Sequence, residues 1–171
     1  MSGSQTIIEL LARGKAAAPA ITAPGRPDLS YGALRDQAGA TITALNALGA
    51  GRDDAVAIVL PNGPEMAAAF VAIAAGATTA PLNPGYTAGE FEFYLQDLAA
   101  RLLVVEAGST SPAVAVARKL GIPIAEPVVS PGAADRQLRI TNSAGTSTVP
   151  ANVFGGEVTI TVPAARKKYC T

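Results

Sequence analysis

The sequence contains no histidine and a single cysteine, Cys170, which is the penultimate residue. The lack of histidine excludes Ser-His and Cys-His nucleophilic catalysis and histidine-based metal sites within this chain. One cysteine can form neither an internal disulfide nor a multi-cysteine zinc site. We predict no catalytic residue and no metal-ligating residue in these 171 residues.

Charged residues are scarce and balanced. They make up 15% of the chain, with 13 basic and 13 acidic side chains, whereas 49% of the residues are hydrophobic. A net charge of zero favours neither a nucleic acid nor an anionic membrane as partner, and the short basic cluster 166–168 offers too few phosphate contacts to change this. The apolar excess predicts exposed faces that pair with a second copy or with the remainder of a longer chain.

Long apolar runs are also missing. No stretch reaches the roughly 18 apolar residues that a membrane span requires. The N-terminus has no basic region ahead of an apolar stretch, so it shows no secretory signal. We therefore expect a cytoplasmic location and no membrane partner.

What the sequence does contain is a series of strand-helix units, the first of which begins at Ala55. The apolar run 55–60 is typical of a strand covered on both faces, and Pro61 stops it. Pro64 occupies a first-turn position, which predicts a helix that starts there and ends near Gly76. Because the segment 66–75 has almost no polar face, we expect this helix to be buried.

The second unit has an amphipathic helix. A short extended segment, 79–82, leads into Asn83-Pro84-Gly85, and Thr87 with Glu90 forms a capping box. Apolar side chains then recur at helical spacing, while polar side chains fall between them. These apolar side chains belong to Phe91, Tyr94, Leu95 and Leu98.

The alternation extends in both directions along the chain, which predicts an α/β fold with a doubly wound, mostly parallel sheet and flanking helices. Ser30 is the predicted cap of a helix that Gly49 ends, and Ser111-Pro112 begins a helix that Gly121 ends. The predicted strands lie near residues 55–60, 79–82, 102–105 and 122–125, and the helices near 31–48, 64–75, 88–99 and 112–120.

These segments carry a family resemblance. LSYGALRDQAGATITALNALG (29–49), DDAVAIVLPNGPEMAAAFVAIAAGATTAPLNPGYTAGEFEFYLQDL (53–98) and the strand that follows resemble the N-terminal subdomain of adenylate-forming acyl-CoA synthetases, the AMP-binding superfamily. Within it, APLNPGYTAGEFEFYLQDL is most similar to oxalate-CoA ligases. Such enzymes use Mg-ATP to convert a carboxylate to an acyl-adenylate and then transfer the acyl group to coenzyme A. The resemblance thus implies ATP, Mg²⁺ and CoA as cofactors.

The resemblance covers roughly residues 5–130 and implies that the chain is part of a larger enzyme. We assign residues 1–133 to an N-terminal α/β subdomain of AMP-binding type and 134–171 to a divergent Gly/Ser/Thr loop, short strand and basic tail. In the family, the acyl pocket, the adenine and ribose contacts and the lysine of the C-terminal domain would all lie beyond Thr171. We therefore expect an N-terminal fragment that is inactive alone.

One element of the family's active site has a counterpart here. The family's phosphate loop resembles [ST]-S-G-T-[ST]-x-x-P-K, and the segment 143–151 reads Ser-Ala-Gly-Thr-Ser-Thr-Val-Pro-Ala. Ala151 replaces the lysine, which removes the loop's only charge. The alternative interpretation is an ordinary exposed connection of small polar residues. The predicted cofactor-binding residues are Ser143, Gly145, Thr146, Ser147 and Thr148.

Other conspicuous residues have two interpretations. Asn62, Asn83 and Tyr86 follow predicted strands, where open α/β sheets bind ligands, but they also suit turns in which side chains satisfy local backbone groups. We favour the turns. Asp53-Asp54 and Glu90 with Glu92 are interpreted as structural carboxylates rather than as acid-base pairs.

Two functional hypotheses remain. The first is the N-terminal fragment of an ATP-dependent acyl-CoA synthetase that acts on an oxalate-like acid. The second is a non-catalytic α/β interaction module that dimerises or pairs with another chain. The fold alone does not separate them.

Overall fold

A computed structural model describes residues 6–129, 136–141, 147–151 and 156–160. Within them the helices are α1 (Ile7–Ala12), α2 (Tyr31–Ala47), α3 (Pro64–Ala74), α4 (Ala88–Asp97) and α5 (Pro112–Leu120). The strands are β1 (Pro19–Ile21), β2 (Leu29–Ser30), β3 (Ala55–Val59), β4 (Thr78–Pro81), β5 (Leu102–Val105), β6 (Ile124–Val129), β7 (Arg136–Thr141), β8 (Ser147–Ala151) and β9 (Gly156–Ile160).

The main sheet has the strand order β4-β3-β5-β6-β7. Strands β4, β3, β5 and β6 are parallel, and β7 adds an antiparallel edge. Val56 of β3 pairs with Thr79 on one side and with Leu102 on the other. The predicted parallel sheet with flanking helices is confirmed. The last predicted strand, 122–125, instead occupies Ile124–Val129.

Successive residues of the central strands face opposite layers of helices. Val56, Ile58 and Val104 point into one core with α2 and α3, whereas Ala57, Val59 and Leu103 point into a second core with α4 and α5. Because both faces are covered, every residue from Val56 to Val59 is buried. This arrangement explains why the strands are continuous apolar runs rather than alternating patterns.

A third cluster lies under α1 and the β1-β2 hairpin, an antiparallel pair. Leu11, Leu29 and Leu34 are buried in it. Nη1 of Arg35 donates to the backbone oxygens of Leu11 and Gly14, each at 3.0 Å, which fastens the end of α1 to α2. The hairpin and α1 were absent from the prediction, although Thr6 and Glu9 form a capping box that signals α1.

The expectation that α3 is buried was wrong. Ala68, Ala72 and Ile73 are buried, but Ala67 is exposed and Phe70 is 40% exposed. A helix that is apolar on all sides has no polar stripe to indicate its outer face. Here α3 packs one side against α2 and β4 and leaves the other side uncovered.

Gly76 does not end α3 in the way the sequence indicates. The helix ends at Ala74, and Gly76 does not adopt the left-handed conformation. A Cβ atom at Gly76 would lie 2.6 Å from Cγ1 of Ile42 on α2. The glycine therefore permits the chain to approach α2 closely.

Three helices end with one hydrogen-bonding motif. At the ends of α2, α4 and α5, a residue in the left-handed conformation and the one that follows it donate hydrogen bonds back to the last turn. The left-handed position is Gly49 after α2 and Gly121 after α5, but Ala99 after α4, with φ of 46°. Among the described residues, no helix is both long and apolar enough to span a bilayer.

Candidate functional site

The candidate site lies at the carboxyl ends of β3, β4 and β5. Three loops meet this edge of the sheet: residues 60–63 after β3, 82–87 after β4 and 106–111 after β5. The helices that follow the adjacent strands β3 and β5 leave for opposite faces of the sheet. Such a switch point creates a crevice, and open α/β sheets bind ligands there.

The β3 loop leads into the N-terminus of α3. Gly63 is the N-cap, without a side-chain cap, and Pro64 is the first helical residue, as predicted. Nη2 of Arg26, which belongs to the β1-β2 hairpin, lies 2.8 Å from Oε1 of Glu65. Oε1 is shielded from solvent and accepts no hydrogen bond from the described residues, so this contact is an ion pair without an aligned hydrogen bond. The pair holds the hairpin beside the crevice.

The β4 loop contains two of the residues with alternative interpretations. Oδ1 of Asn83 accepts a hydrogen bond from the Gly85 amide at 2.9 Å, which is the local turn contact that we favoured. The Tyr86 ring stacks on Tyr94 at a centroid distance of 5.0 Å and meets the edge of Phe91 at 5.8 Å. The Tyr86 amide closes the turn by donating to the Asn83 backbone oxygen at 3.1 Å, while the Tyr86 side chain packs against α4. Asn62, in the β3 loop, is exposed.

Hydrogen bonding with the Tyr94 side chain raises the pKa of the Tyr86 hydroxyl above its usual value, and partial desolvation adds to the effect. A phenol with a raised pKa remains protonated at neutral pH. Tyr86 can therefore donate or accept a hydrogen bond at this edge, but it does not serve as a general base there.

Glu90 is committed to the start of α4. Its Oε2 accepts hydrogen bonds from the backbone amide and the hydroxyl of Thr87, both at 2.7 Å. These bonds hold the pKa of Glu90 below its usual value. At the other end of the sheet, Oδ2 of Asp54 accepts a hydrogen bond from the Gly51 amide at 2.8 Å. The structure places both carboxylates in local backbone contacts, in agreement with the structural interpretation.

The β5 loop is rich in hydroxyl groups, and sequence reasoning did not assign it to a site. Oγ of Ser109 accepts a hydrogen bond from the Ser111 amide at 3.2 Å, and Oγ of Ser111 caps α5 by accepting one from the Ala113 amide at 3.3 Å. The signal available in the sequence was the run Gly-Ser-Thr-Ser (108–111), which two residues separate from the end of a buried strand. These hydroxyls order the loop that borders the crevice.

The predicted phosphate loop is only partly within the described residues. Ser143, Gly145 and Thr146 lie outside them. Ser147 and Thr148 begin β8, where they pair with Ile160 and Thr159 of β9. Binding of a nucleotide by these five residues remains a prediction.

The described residues contain no group of three His, Cys, Asp or Glu side chains that could hold a metal ion. A cavity of about 460 Å³ lies elsewhere, at the amino ends of β3 and β4, between α1, α2 and the end of α3. Its lining includes Ile42, Asn46, Arg52 and Gly76, so it is separate from the crevice.

Comparison with known proteins identifies the family. Residues 9–166 match the family of AMP-binding enzymes, and the chain belongs to that family. The match continues past residue 130, where the resemblance noted in the sequence ended, and it includes the segment 143–151. The match therefore covers both the crevice residues and the segment 143–151, and a nucleotide-binding role for that segment stays a prediction.

Solved structures of acyl-CoA ligases share the fold. Apo MatB from Rhodopseudomonas palustris superimposes with a TM-score of 0.62 and 24% identity, over 71% of this chain and 25% of that one. ATP-bound MatB from the same organism gives 0.59 and 25%, over the same shares of the two chains. A benzoate CoA ligase from Burkholderia xenovorans LB400 gives 0.60 and 18%, over 69% and 24%. This chain therefore spans about a quarter of the length of the structures it matches.

Proposed function

We propose that this chain forms the N-terminal part of an ATP-dependent acyl-CoA synthetase. The enzyme would activate an oxalate-like acid as an acyl-adenylate with Mg-ATP and transfer the acyl group to CoA in the cytoplasm. The observation that carries the proposal is the family match across residues 9–166. Oxalate is proposed from the likeness of the segment 80–98 to oxalate-CoA ligases.

The role of the described residues in this proposal is to build one wall of the site. The doubly wound sheet fixes the loops after β3, β4 and β5 at one edge, and the ion pair of Arg26 with Glu65 holds the hairpin beside them. Adenylation also requires the carboxylate and ATP to be held together in a reactive geometry. We therefore propose that these residues position the site and are inactive without the rest of the enzyme.

A chimera tests the proposal. Residues 9–126 would replace the matching segment of Rhodopseudomonas palustris MatB, and pyrophosphate release would be measured with Mg-ATP, CoA and the acid that MatB itself uses. We expect the chimera to retain acid-dependent release. A matched chimera with Phe91→Asp, which places a charge in the core, should lose both its fold and its activity. A chimera that folds, by circular dichroism, yet releases no pyrophosphate would contradict the proposal.

The isolated chain provides the complementary measurement. With Mg-ATP, CoA and oxalate, we expect pyrophosphate release no higher than in a blank without protein. Release above the blank would show that the chain alone is catalytic and would overturn the proposal that it is inactive without the rest of the enzyme.

The candidate phosphate loop has its own test. Ala151→Lys restores the charge that the family pattern has at this position, and a charge-assisted contact with phosphate should raise ATP affinity about 5- to 150-fold. Ala47→Lys places the same charge at an exposed site on α2 and should leave binding unchanged. Calorimetric titration of ATP measures both variants. Equal, undetectable binding would mean that the segment 143–151 is not a nucleotide site.

One observation favours the second hypothesis, a non-catalytic interaction module. Phe93 on α4 is 61% exposed, and Phe70 on α3 is 40% exposed. Large exposed apolar side chains are a common mark of interaction surfaces. Stable self-association without ATP binding in either lysine variant would support the module over the enzyme fragment.

A further inference from the structure

Helices α4 and α5 lie side by side on one face of the sheet and present two different outer surfaces. The exposed side chains of α4 that follow helical spacing are Glu90, Phe93 and Asp97, which we term the acidic stripe. Those of α5 are Ala115, Arg118 and Lys119, which we term the basic stripe. Both stripes face away from the core that contains Phe91 and Val116.

Phe93 is the apolar centre of this surface. It is 61% exposed, the largest exposure among the large hydrophobic side chains of the described residues. Among the aromatic side chains of the described residues, the Phe93 ring contacts only Tyr94, edge to face, at a centroid distance of 5.2 Å. A solvent-exposed aromatic side chain with charged neighbours is typical of the residues that anchor protein interfaces.

The charges of the two helices are fully separated by sign. Every charged residue of α4 is acidic, and every charged residue of α5 is basic. Nζ of Lys119 already contacts both carboxylate oxygens of Glu92, at 2.7 and 2.9 Å, so the two helices attract each other within one copy. The same attraction is available between copies, because the two stripes remain exposed.

We infer that this surface joins two copies of the chain, with the acidic stripe of each copy against the basic stripe of the other. Helices α4 and α5 are parallel, since both return from the carboxyl edge of a parallel sheet to its amino edge. A two-fold axis parallel to them therefore places each α4 over an α5 in both halves of the interface. Phe93 then packs against the guanidinium and stem of Arg118 from the second copy.

The size of the surface sets the strength of the association. Helices of 10 and 9 residues are about 15 Å long, so the contact falls below the area of a standard stable interface. We therefore expect a weak dimer that forms at micromolar or higher concentrations and weakens with added salt. This inference is independent of the proposed enzymatic function.

Sedimentation equilibrium of the 171-residue chain, over a series up to about 500 µM at low salt, measures the dimer. Phe93→Ser should raise its dissociation constant about 30-fold or more, because truncating a buried aromatic anchor has an effect of that size. Phe70→Ser is the matched control, since Phe70 lies on the opposite face of the sheet. It should leave the dissociation constant unchanged.

Charge exchange tests the proposed geometry directly. Arg118→Glu leaves Lys119, which is paired with Glu92, as the one basic side chain of α5 and makes the surface largely acidic. The double variant Gln96→Lys with Asp97→Lys makes it largely basic, so each variant should be monomeric alone. Mixed in equal amounts, the two should form a heterodimer, because the new lysines of one α4 then meet the new glutamate of the other copy's α5, and Arg118 meets an unchanged acidic α4. A monomeric wild-type chain at the highest concentration, dimerisation of Phe93→Ser as tight as wild type, or a mixture that stays monomeric would each overturn the inference.

Discussion

The two layers of helices cover the same sheet but differ in how clearly the sequence orients them. On the α4-α5 side, Phe91 and Leu95 are buried, and the charged side chains lie outside. On the α2-α3 side, α3 has a higher apolar content, yet it leaves Phe70 and Ala67 exposed. The contrast of apolar and polar positions around a helix, rather than its mean hydropathy, determines how well its buried face can be predicted.

The ends of the helices show the same difference. Helix α4 begins with the reciprocal hydrogen bonds of Thr87 and Glu90, whereas α3 begins at Pro64, and its N-cap residue, Gly63, has no side chain to cap it. Local signals therefore fix the first turn of α4, while the position of α3 depends on tertiary contacts such as that of Gly76 with α2.

The largest expected difference between the layers is in the loss of stability when Phe91 or Phe70 is truncated. Phe91 is fully buried, so Phe91→Ala should lower the free energy of unfolding by about 3 to 5 kcal/mol through lost burial and a residual cavity. Phe70→Ala should cost less than about 1.5 kcal/mol, because that ring is already 40% exposed. Urea denaturation of both variants gives the comparison. Equal losses would mean that α3 is as well covered as α4.

The close approach of Gly76 to α2 is the next test. Gly76→Ala should cost about 1 to 3 kcal/mol, because Ile42 must move to admit the new methyl group. Gly39→Ala is the control: Gly39 is helical, and a Cβ there would meet nothing within 4 Å. It should instead stabilise the protein by about 0.5 to 1 kcal/mol.

A double variant separates crowding from backbone effects at Gly76. If the side chain of Ile42 is the obstacle, Ile42→Ala should relieve part of the cost of Gly76→Ala, which would appear as a coupling energy in a double-mutant cycle. Additive losses would assign the cost to the backbone instead.

The end of α4 offers a smaller, stabilising change. Ala99 occupies the left-handed position that glycine fills after α2 and α5, so Ala99→Gly should raise the free energy of unfolding by about 1 kcal/mol. Gly121→Ala should lower it by a similar amount, because it introduces the same strain after α5. Thermal unfolding of the pair checks both signs. A loss of stability in Ala99→Gly would mean that backbone entropy outweighs the strain.

Much of the fold could be predicted because its signals are local. Strand β3 is an apolar run between Asp54 and Pro61, and α5 begins at Ser111-Pro112 and ends at Gly121, all as the sequence indicates. The confirmed parallel sheet follows from the alternation of such elements. The order of the strands could not be predicted in the same way. It depends on the side of the preceding strand to which each crossover leads, and no single segment encodes that choice.

The candidate site was less accessible from the sequence. Asn83 could be assigned to a turn because its partner, Gly85, is two residues away. The stacking of Tyr86 on Tyr94 and the ion pair of Arg26 with Glu65 depend on tertiary packing, and no local pattern indicates them. The phosphate-loop prediction rested on neither local patterns nor tertiary contacts, because it came from a family pattern alone.

The smallest expected effect on stability comes from the side-chain cap at the start of α4, a feature that α3 does not have. The folded protein holds the pKa of Glu90 below its usual value of 4.5 through the hydrogen bonds from Thr87. A carboxyl with a depressed pKa adds stability that is complete above the unfolded pKa and is lost as the pH falls through the folded pKa. The stability difference between wild type and Glu90→Gln should therefore be constant above about pH 5.5 and shrink below it. Urea denaturation across this range measures it.

Thr87→Val provides the matched variant for that measurement. It removes the hydroxyl donor but keeps the backbone amide that also bonds to Glu90, so the pKa of Glu90 should rise part of the way back towards 4.5. An NMR titration of the Glu90 carboxyl reports this directly. Because the group is exposed, salt should weaken the pH dependence in both experiments. A Glu90 titration that is the same in wild type and Thr87→Val would mean that the backbone amide of Thr87 alone lowers the pKa, and the hydroxyl donor that we invoke would be ruled out.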